Sequence, residues 1–262
     1  MDLGLKNKIV IVTGGNSGIG RCCALALAHE RACVSITARN QNLLDKVVGE
    51  INDAGGEGYA IAADLTSIEN CQKVVAKTVE RFGGVDILVN CAGAAKESDI
   101  LDLQTELIDS ALSLKSYSYL RMSQLVIPYM KIKKWGRIIN IAGSAGTSPN
   151  RRNIPVSISN IAILNMACAL SDAVSRDGIL VNNICPGITN TKRARNLYRT
   201  IAKKEGQEVE KFLRELGRNL PAGRIAEPEE IANVVVFLAS ETCSYMFGSS
   251  IYLDGVGRVI TT

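Results

Sequence analysis

A run of glycines among small polar residues, Thr13-Gly14-Gly15-Asn16-Ser17-Gly18-Ile19-Gly20, is the stretch best suited to holding a ligand. It follows the apolar run Ile9-Val10-Ile11-Val12 and leads into the helix-forming run Arg21–Ala28. Strand, glycine turn and helix start, in that order, make a phosphate cradle. Glycines let the backbone approach a pyrophosphate, and the free N–H groups of the first helical turn receive its charge. Those flanks are what the motif requires, and a loose glycine match without them carries little. The next apolar run ends at Ala38, followed at once by Arg39. A carboxylate there would bond the ribose 2′-hydroxyl of NAD and repel a 2′-phosphate, whereas a guanidinium offers that phosphate a forked, charge-assisted contact. Arg39 therefore points to NADP(H) over NAD(H), the bland alternative being a surface arginine that opens a helix.

Other residue types mostly exclude. His29 is the one histidine and falls near the end of the first predicted helix, so neither a Ser-His-Asp triad nor a histidine-based metal site is expected. The eight cysteines form no C-x-x-C pair and scatter over strands and helices, which reads as buried, reduced thiols with no metal. A net charge of +4 spread along the chain argues against a nucleic-acid partner. No apolar run is expected to span a bilayer and no signal-peptide pattern precedes the first strand, so the expectation is cytoplasmic, with no membrane partner.

The elements that must position the glycine turn alternate along the whole chain. Strand-like runs are Lys8–Thr13, Ala32–Ala38, Gly58–Ala63, Asp86–Asn90, Arg137–Ala142, Leu180–Cys185 and Ser250–Asp254. Helical patterns separate them at Ile19–Glu30, Gln41–Ala54, Ser67–Phe82, Leu103–Lys131, Pro155–Arg176 and Pro228–Ser240. Gly55-Gly56 and Gly83-Gly84 close two of these helices, and Pro155 and Pro228 open two others. Repeated βαβ units predict an α/β fold: a doubly wound, Rossmann-like parallel sheet of about seven strands with helices on both faces. One domain is expected over residues 1–262, with a basic insertion at about 190–224. That insertion reads either as a solvated helical pair or as a lid over an anionic ligand.

Taken together, these residues resemble the short-chain dehydrogenase/reductase family, in its single-domain branch and its 3-oxoacyl-carrier-protein-reductase-like members. Thr13-Gly14 through Gly18-Ile19-Gly20 matches its glycine motif, and Asn90-Cys91-Ala92-Gly93 resembles its N-N-A-G with Cys91 in place of the second Asn. The resemblance implies that Asp64 and Leu65 touch an adenine ring and that Pro186, Gly187 and Thr191 hold the nicotinamide end. Arg224, Pro228–Ala232, Phe237–Ser240 and Asp254-Gly255 reproduce the C-terminal signature. It further implies that Arg151 and Arg152 flank the mouth of the substrate pocket, where they suit a carboxylate or phosphate. The family assembles through the helices predicted at Leu103–Lys131 and Pro155–Arg176, so a homotetramer or dimer is expected, with Val256–Thr262 joining the contact.

The family's chemistry rests on Asn, Ser, Tyr and Lys, and this sequence departs at all four. The serine position falls on Gly143, with Ser144 beside it; the Tyr-x-x-x-Lys pair becomes Val156 and Asn160; the Asn position falls on Lys115. Asn160 can still reach ribose hydroxyls without the lost charge. Lys115 acts as acid or base, since a buried lysine has a lowered pKa, or fills the space of a water relay, or pairs with an acid. Three functions remain open: an atypical oxidoreductase acting on a small anionic or imine substrate, a non-redox lyase or isomerase, and an inactive dinucleotide sensor or subunit.

Overall fold

The computed structural model describes residues 2–93 and 98–257. Seven strands form one sheet: β1 Ile9–Thr13, β2 Cys33–Ala38, β3 Glu57–Ala62, β4 Ile87–Asn90, β5 Gly136–Ile141, β6 Ile179–Pro186 and β7 Ser250–Leu253. Their order is β3-β2-β1-β4-β5-β6-β7 and every neighbouring pair is parallel. The helices are α1 Gly18–His29, α2 Gln41–Asp53, α3 Ile68–Phe82, α4 Thr105–Ala111, α5 Ser118–Lys133, α6 Ile154–Val174, α7 Lys192–Lys204, α8 Val209–Arg218 and α9 Pro228–Ala239.

The strands read as unbroken aliphatic runs because both faces are covered. Alternate residues of β1 go to opposite layers: Val10 and Val12 pack in the core that contains α1, α2 and α9 side chains, and Ile11 in the core that contains those of α3, α5 and α6. β4 divides the same way, with Ile87 and Val89 on the first face and Leu88 on the second. Order reverses between β1 and β4, since β1 leads outward to β2 and β3 while β4 takes its other side. The crevice beyond the carboxyl ends of these two strands is where such a sheet receives ligands.

Local signals fix most boundaries. Asn40 caps α2 through the Leu43 N–H and Ser67 caps α3 through the Asn70 N–H. Gly83 ends α3 at φ 88°, in the left-handed region where a Cβ is unfavourable. Pro228 opens α9 in its first turn.

Three expectations need correction. The single helix expected over Leu103–Lys131 is instead α4, a π-helical turn at Leu112–Tyr117, and α5. The expectation of no bilayer-length apolar run also fails on composition. An 18-residue window within Ile154–Asp177 has a mean hydropathy of 1.6, but 44% of that window is buried, and the helix places Ile163, Leu164 and Ala167 in the core. Length and apolarity here reflect a helix packed against a sheet. All eight cysteines are free, but Cys168 is exposed and Cys33 and Cys91 are only half-buried. Within the expected C-terminal contact Val256–Thr262, residues 258–262 lie outside the described residues.

Candidate active site

The glycine turn closes as tightly as its sequence demands. A Cβ at Gly20 would stand 2.3 Å from the Gly14 carbonyl oxygen, and one at Gly14 would stand 3.0 Å from the Ala92 Cα. Gly14 and Gly18 also hold φ of 68° and 54°, so side chains here would block both the turn and any backbone approach to a phosphate. Thr13 is engaged elsewhere: its hydroxyl accepts from the Cys91 and Ala92 N–H groups at 2.9 and 3.0 Å, tying the loop after β4 to the turn. Asn16 and Ile19 are half-buried, and Ser17 is exposed at the N-cap of α1 with no capping bond from its hydroxyl. The helix start thus offers N–H groups and a hydroxyl with no acidic residue in its first turn, a chemistry that fits a pyrophosphate.

Along the crevice, Arg39 is exposed just past β2. Asp64 is half-buried after β3, and its carboxylate accepts from the Thr66 N–H and hydroxyl at 3.0 and 2.8 Å. Those bonds, more than the Arg39 charge, hold it below the usual carboxylate range. Leu65 turns into the core, leaving its backbone for a ligand. At the other end Pro186 completes β6, and the Gly187 N–H donates to the Leu253 carbonyl at 3.0 Å. Thr191 caps α7 through the Ala194 N–H, and its methyl lies 3.4 Å from where a Cβ of Gly18 would stand. The residues expected for the two ends of a dinucleotide therefore all follow the carboxyl ends of parallel strands.

Beneath them runs a row of amides that the sequence reading did not pick out. Asn90 donates to Asn140 at 3.0 Å, Asn140 to Asn183 at 3.2 Å, and Asn183 to the Ser250 hydroxyl at 3.1 Å. These residues are register partners on β4, β5, β6 and β7, so Asn90 stitches the sheet together.

The replaced positions converge. Lys115 sits in the π-helical turn, and its Nζ donates to both the Ala142 carbonyl and the Asn160 Oδ1. The side chains of Lys115 and Asn160, expected from the resemblance to be asparagine and lysine respectively, meet here. The turn is held against α6 by the Ser116 hydroxyl, which donates to the Ser159 carbonyl at 3.0 Å. Inserted π turns recur at functional sites because the extra residue re-aims a side chain. Lys115 is half-buried as a whole and its charged end is the enclosed part. Burial first, then the charge of Arg193, bring its pKa from 10.5 down to about 7.

Gly143 lies beside this pair at φ 113°, where a Cβ would come within 2.9 Å of the Asn160 Nδ2. Ser144 opens a short 3₁₀ turn, half-buried, its hydroxyl without a hydrogen bond among the described residues. Val156, one turn before Asn160 on α6, is half-buried and brings no polar group. Arg151 and Arg152 are exposed in the turn before α6 and make no side-chain bond among the described residues. Arg193 is the residue that sequence reasoning missed as an individual. From α7 it reaches the Gly93 carbonyl at 2.5 Å, yet it reads as one of many basic residues in the insertion.

The parallel sheet, its switch point and the glycine turn define a protein of the dinucleotide-binding α/β class. A family described as enoyl-(acyl carrier protein) reductase matches residues 14–255. An uncharacterized oxidoreductase of Bacillus subtilis is 32% identical over 259 residues, 97% of this chain and 98% of the relative. A 3-oxoacyl-[acyl-carrier-protein] reductase of Thermotoga maritima is 29% identical over 256 residues, covering 98% and 99%. L-sorbose reductase from Gluconobacter frateurii, complexed with NADPH and L-sorbose, superimposes with a TM-score of 0.95 at 30% identity over the full length of both chains. The chain belongs to the short-chain dehydrogenase/reductase family of oxidoreductases.

Proposed function

We propose that this protein binds NADP(H) in preference to NAD(H) and moves a hydride between the nicotinamide and a small substrate, with Lys115 handling the proton. The observation that carries the reading is the meeting of Lys115 and Asn160 at the Ala142 carbonyl, in the crevice marked by the glycine turn. A lysine that titrates near neutrality is well matched to proton transfer at physiological pH. Arg39 supports the NADP(H) preference, as does the NADPH bound to L-sorbose reductase.

A bound NADPH supplies the hydride, and the chain supplies everything else. Ser17 and the first turn of α1 receive phosphate charge, Arg39 meets the 2′-phosphate, and Asp64 faces the adenosine end. Thr191, with the backbone at Pro186 and Gly187, confines the nicotinamide end. Asn160 reaches the ribose hydroxyls and orients Lys115, whose Nζ delivers the proton to the developing oxyanion, with Ser144 as a second donor. Arg151 and Arg152 suit a carboxylate or phosphate on the substrate. The positive charge of Lys115 and Arg193 argues for such an anionic carbonyl compound over a cationic imine. One domain carries the site, with the α7–α8 pair as its lid. The free thiols support a cytoplasmic location, and exposed Ile158 and Ile161 support assembly through α6 into a homotetramer or dimer.

The missing hydroxyls at Gly143 and Val156 favour one rival reading, a dinucleotide-binding protein without turnover. The test is fluorescence titration with NADPH and NADH, then a hydride-transfer screen over anionic ketones and cyclic imines. Turnover lost by about 10²–10⁴-fold in Lys115→Met, with NADPH binding kept, is the expected result. Tight NADPH binding with no turnover on any substrate replaces the enzyme reading with the rival one.

A further inference from the structure

We propose that Arg193, carried on α7, is a positioning residue for Lys115: fixed on the Gly93 carbonyl, its charge makes the Lys115 ammonium a readier proton donor. The inference rests on the reading of Lys115 as the group that handles the proton, and it is measured separately below.

The geometry brackets Gly93 between two cations. The Arg193 Nη1 donates to its carbonyl oxygen at 2.5 Å, across 100 residues of sequence. The Lys115 side chain packs against the same residue, with Cδ, Cγ and Cε at 3.1, 3.2 and 3.4 Å from where a Cβ would stand. The contact leaves no space for a larger residue at Gly93, so the two cations are held in register through one peptide. Lys115 itself meets neutral acceptors, the Ala142 carbonyl and the Asn160 amide. Among the described residues, the charged or titratable groups that act on it are Arg193 from α7, Cys91 after β4 and Cys185 in β6. Burial pushes the Cys91 thiol up to about 12, so it is neutral at physiological pH and offsets nothing. A like charge disfavours the ammonium form, and none of these groups is a carboxylate that would favour it. Because Arg193 belongs to α7 and Lys115 to the segment between β4 and β5, the effect operates only while Arg193 holds the Gly93 carbonyl.

The experiment is a pH titration of the Lys115 Nζ by nitrogen-15 NMR, without substrate, the signal being assigned by its loss in Lys115→Met. It compares the wild type with Arg193→Met, Arg193→Gln and Arg193→Lys, each checked for an unchanged fold by its melting transition. In both neutral variants the midpoint is expected to rise by about one pH unit, while Arg193→Lys keeps the wild-type midpoint. In reduction, kcat falls as pH rises through the Lys115 midpoint, because the donor must be protonated. That fall is expected to move upward in step with the NMR midpoint, with KM for NADPH unchanged. An unmoved midpoint in the neutral variants would overturn the inference, and so would an equal shift in Arg193→Lys, which would make packing the cause. If Lys115→Met retains full turnover, the proton-donor reading fails, and the titration still shows whether Arg193 controls Lys115.

Discussion

Replacing Lys115 with methionine tests the most unusual group in the molecule by stability alone. Below about pH 7 the ammonium is charged in the folded and unfolded chains alike, and the folded state bears the full cost of enclosing it. Between about 7 and 10.5 the folded chain holds a neutral amine while the unfolded chain still binds the proton. The unfolded state then binds more protons, so stability rises with pH across that window, at about 1.4 kcal/mol per pH unit. The methionine side chain cannot titrate, and every other group is common to both proteins. From pH 7 to pH 9 the wild type should therefore gain about 2 kcal/mol over Lys115→Met, after allowing for the half-protonated state at the lower limit. With an unfolding entropy of about 2 cal/mol/K per residue, that gain is a relative rise in melting temperature of about 4 °C for 262 residues. The hydrogen bonds to Ala142 and Asn160 shift the whole comparison at every pH and leave this slope alone. Scanning calorimetry of the two proteins in matched buffers at half-unit steps reads it directly. Parallel melting curves would refute the enclosure of Lys115 and with it the near-neutral donor.

Two further substitutions probe the crevice. Arg39→Asp should weaken NADPH binding by about 10–100-fold, through loss of a charge-assisted contact and gain of a like charge, while NADH binding holds or improves in parallel fluorescence titrations. Gly143→Ser, which places there the serine that the resemblance expects, should destabilise the protein by about 1–3 kcal/mol in urea unfolding. The substitution forces a side chain to φ 113° and toward the Asn160 amide at 2.9 Å.

The fold was legible because a parallel sheet covered on both faces leaves a plain record. Ile9–Val12, Ile87–Val89 and Ile138–Ile139 are aliphatic without alternation, and each is buried in β1, β4 or β5. Glycine and proline at helix ends marked the breaks between them. The π turn was not legible, because nothing in Leu112–Tyr117 breaks a helix. The extra residue is accommodated through tertiary contacts, among them the Ser116 bond to the Ser159 carbonyl. Arg193 was hidden for a different reason. Its meaning lies in one bond to a carbonyl 100 residues away, and single-sequence reasoning sees only another arginine in a basic run.

The site itself was legible position by position but not as a unit. The resemblance expects catalytic residues where Lys115, Gly143, Val156 and Asn160 stand, which reads equally as decay or as reconstruction. Asn160 accepts from Lys115 with its oxygen and turns its nitrogen toward Gly143, where the absence of a side chain makes room for it. Lys115 in turn needs the slim Gly93 flank and the amide of Asn160, since among the described residues its other acceptor is a single backbone carbonyl. Each of these three residues is accommodated by another. A serine at 143 crowds the asparagine, and a lysine at 160 would face the Lys115 ammonium as a like charge. Gly143, Lys115 and Asn160 are thus mutually fitted: the gap at 143 receives the Asn160 nitrogen, and the Asn160 oxygen receives the Lys115 ammonium.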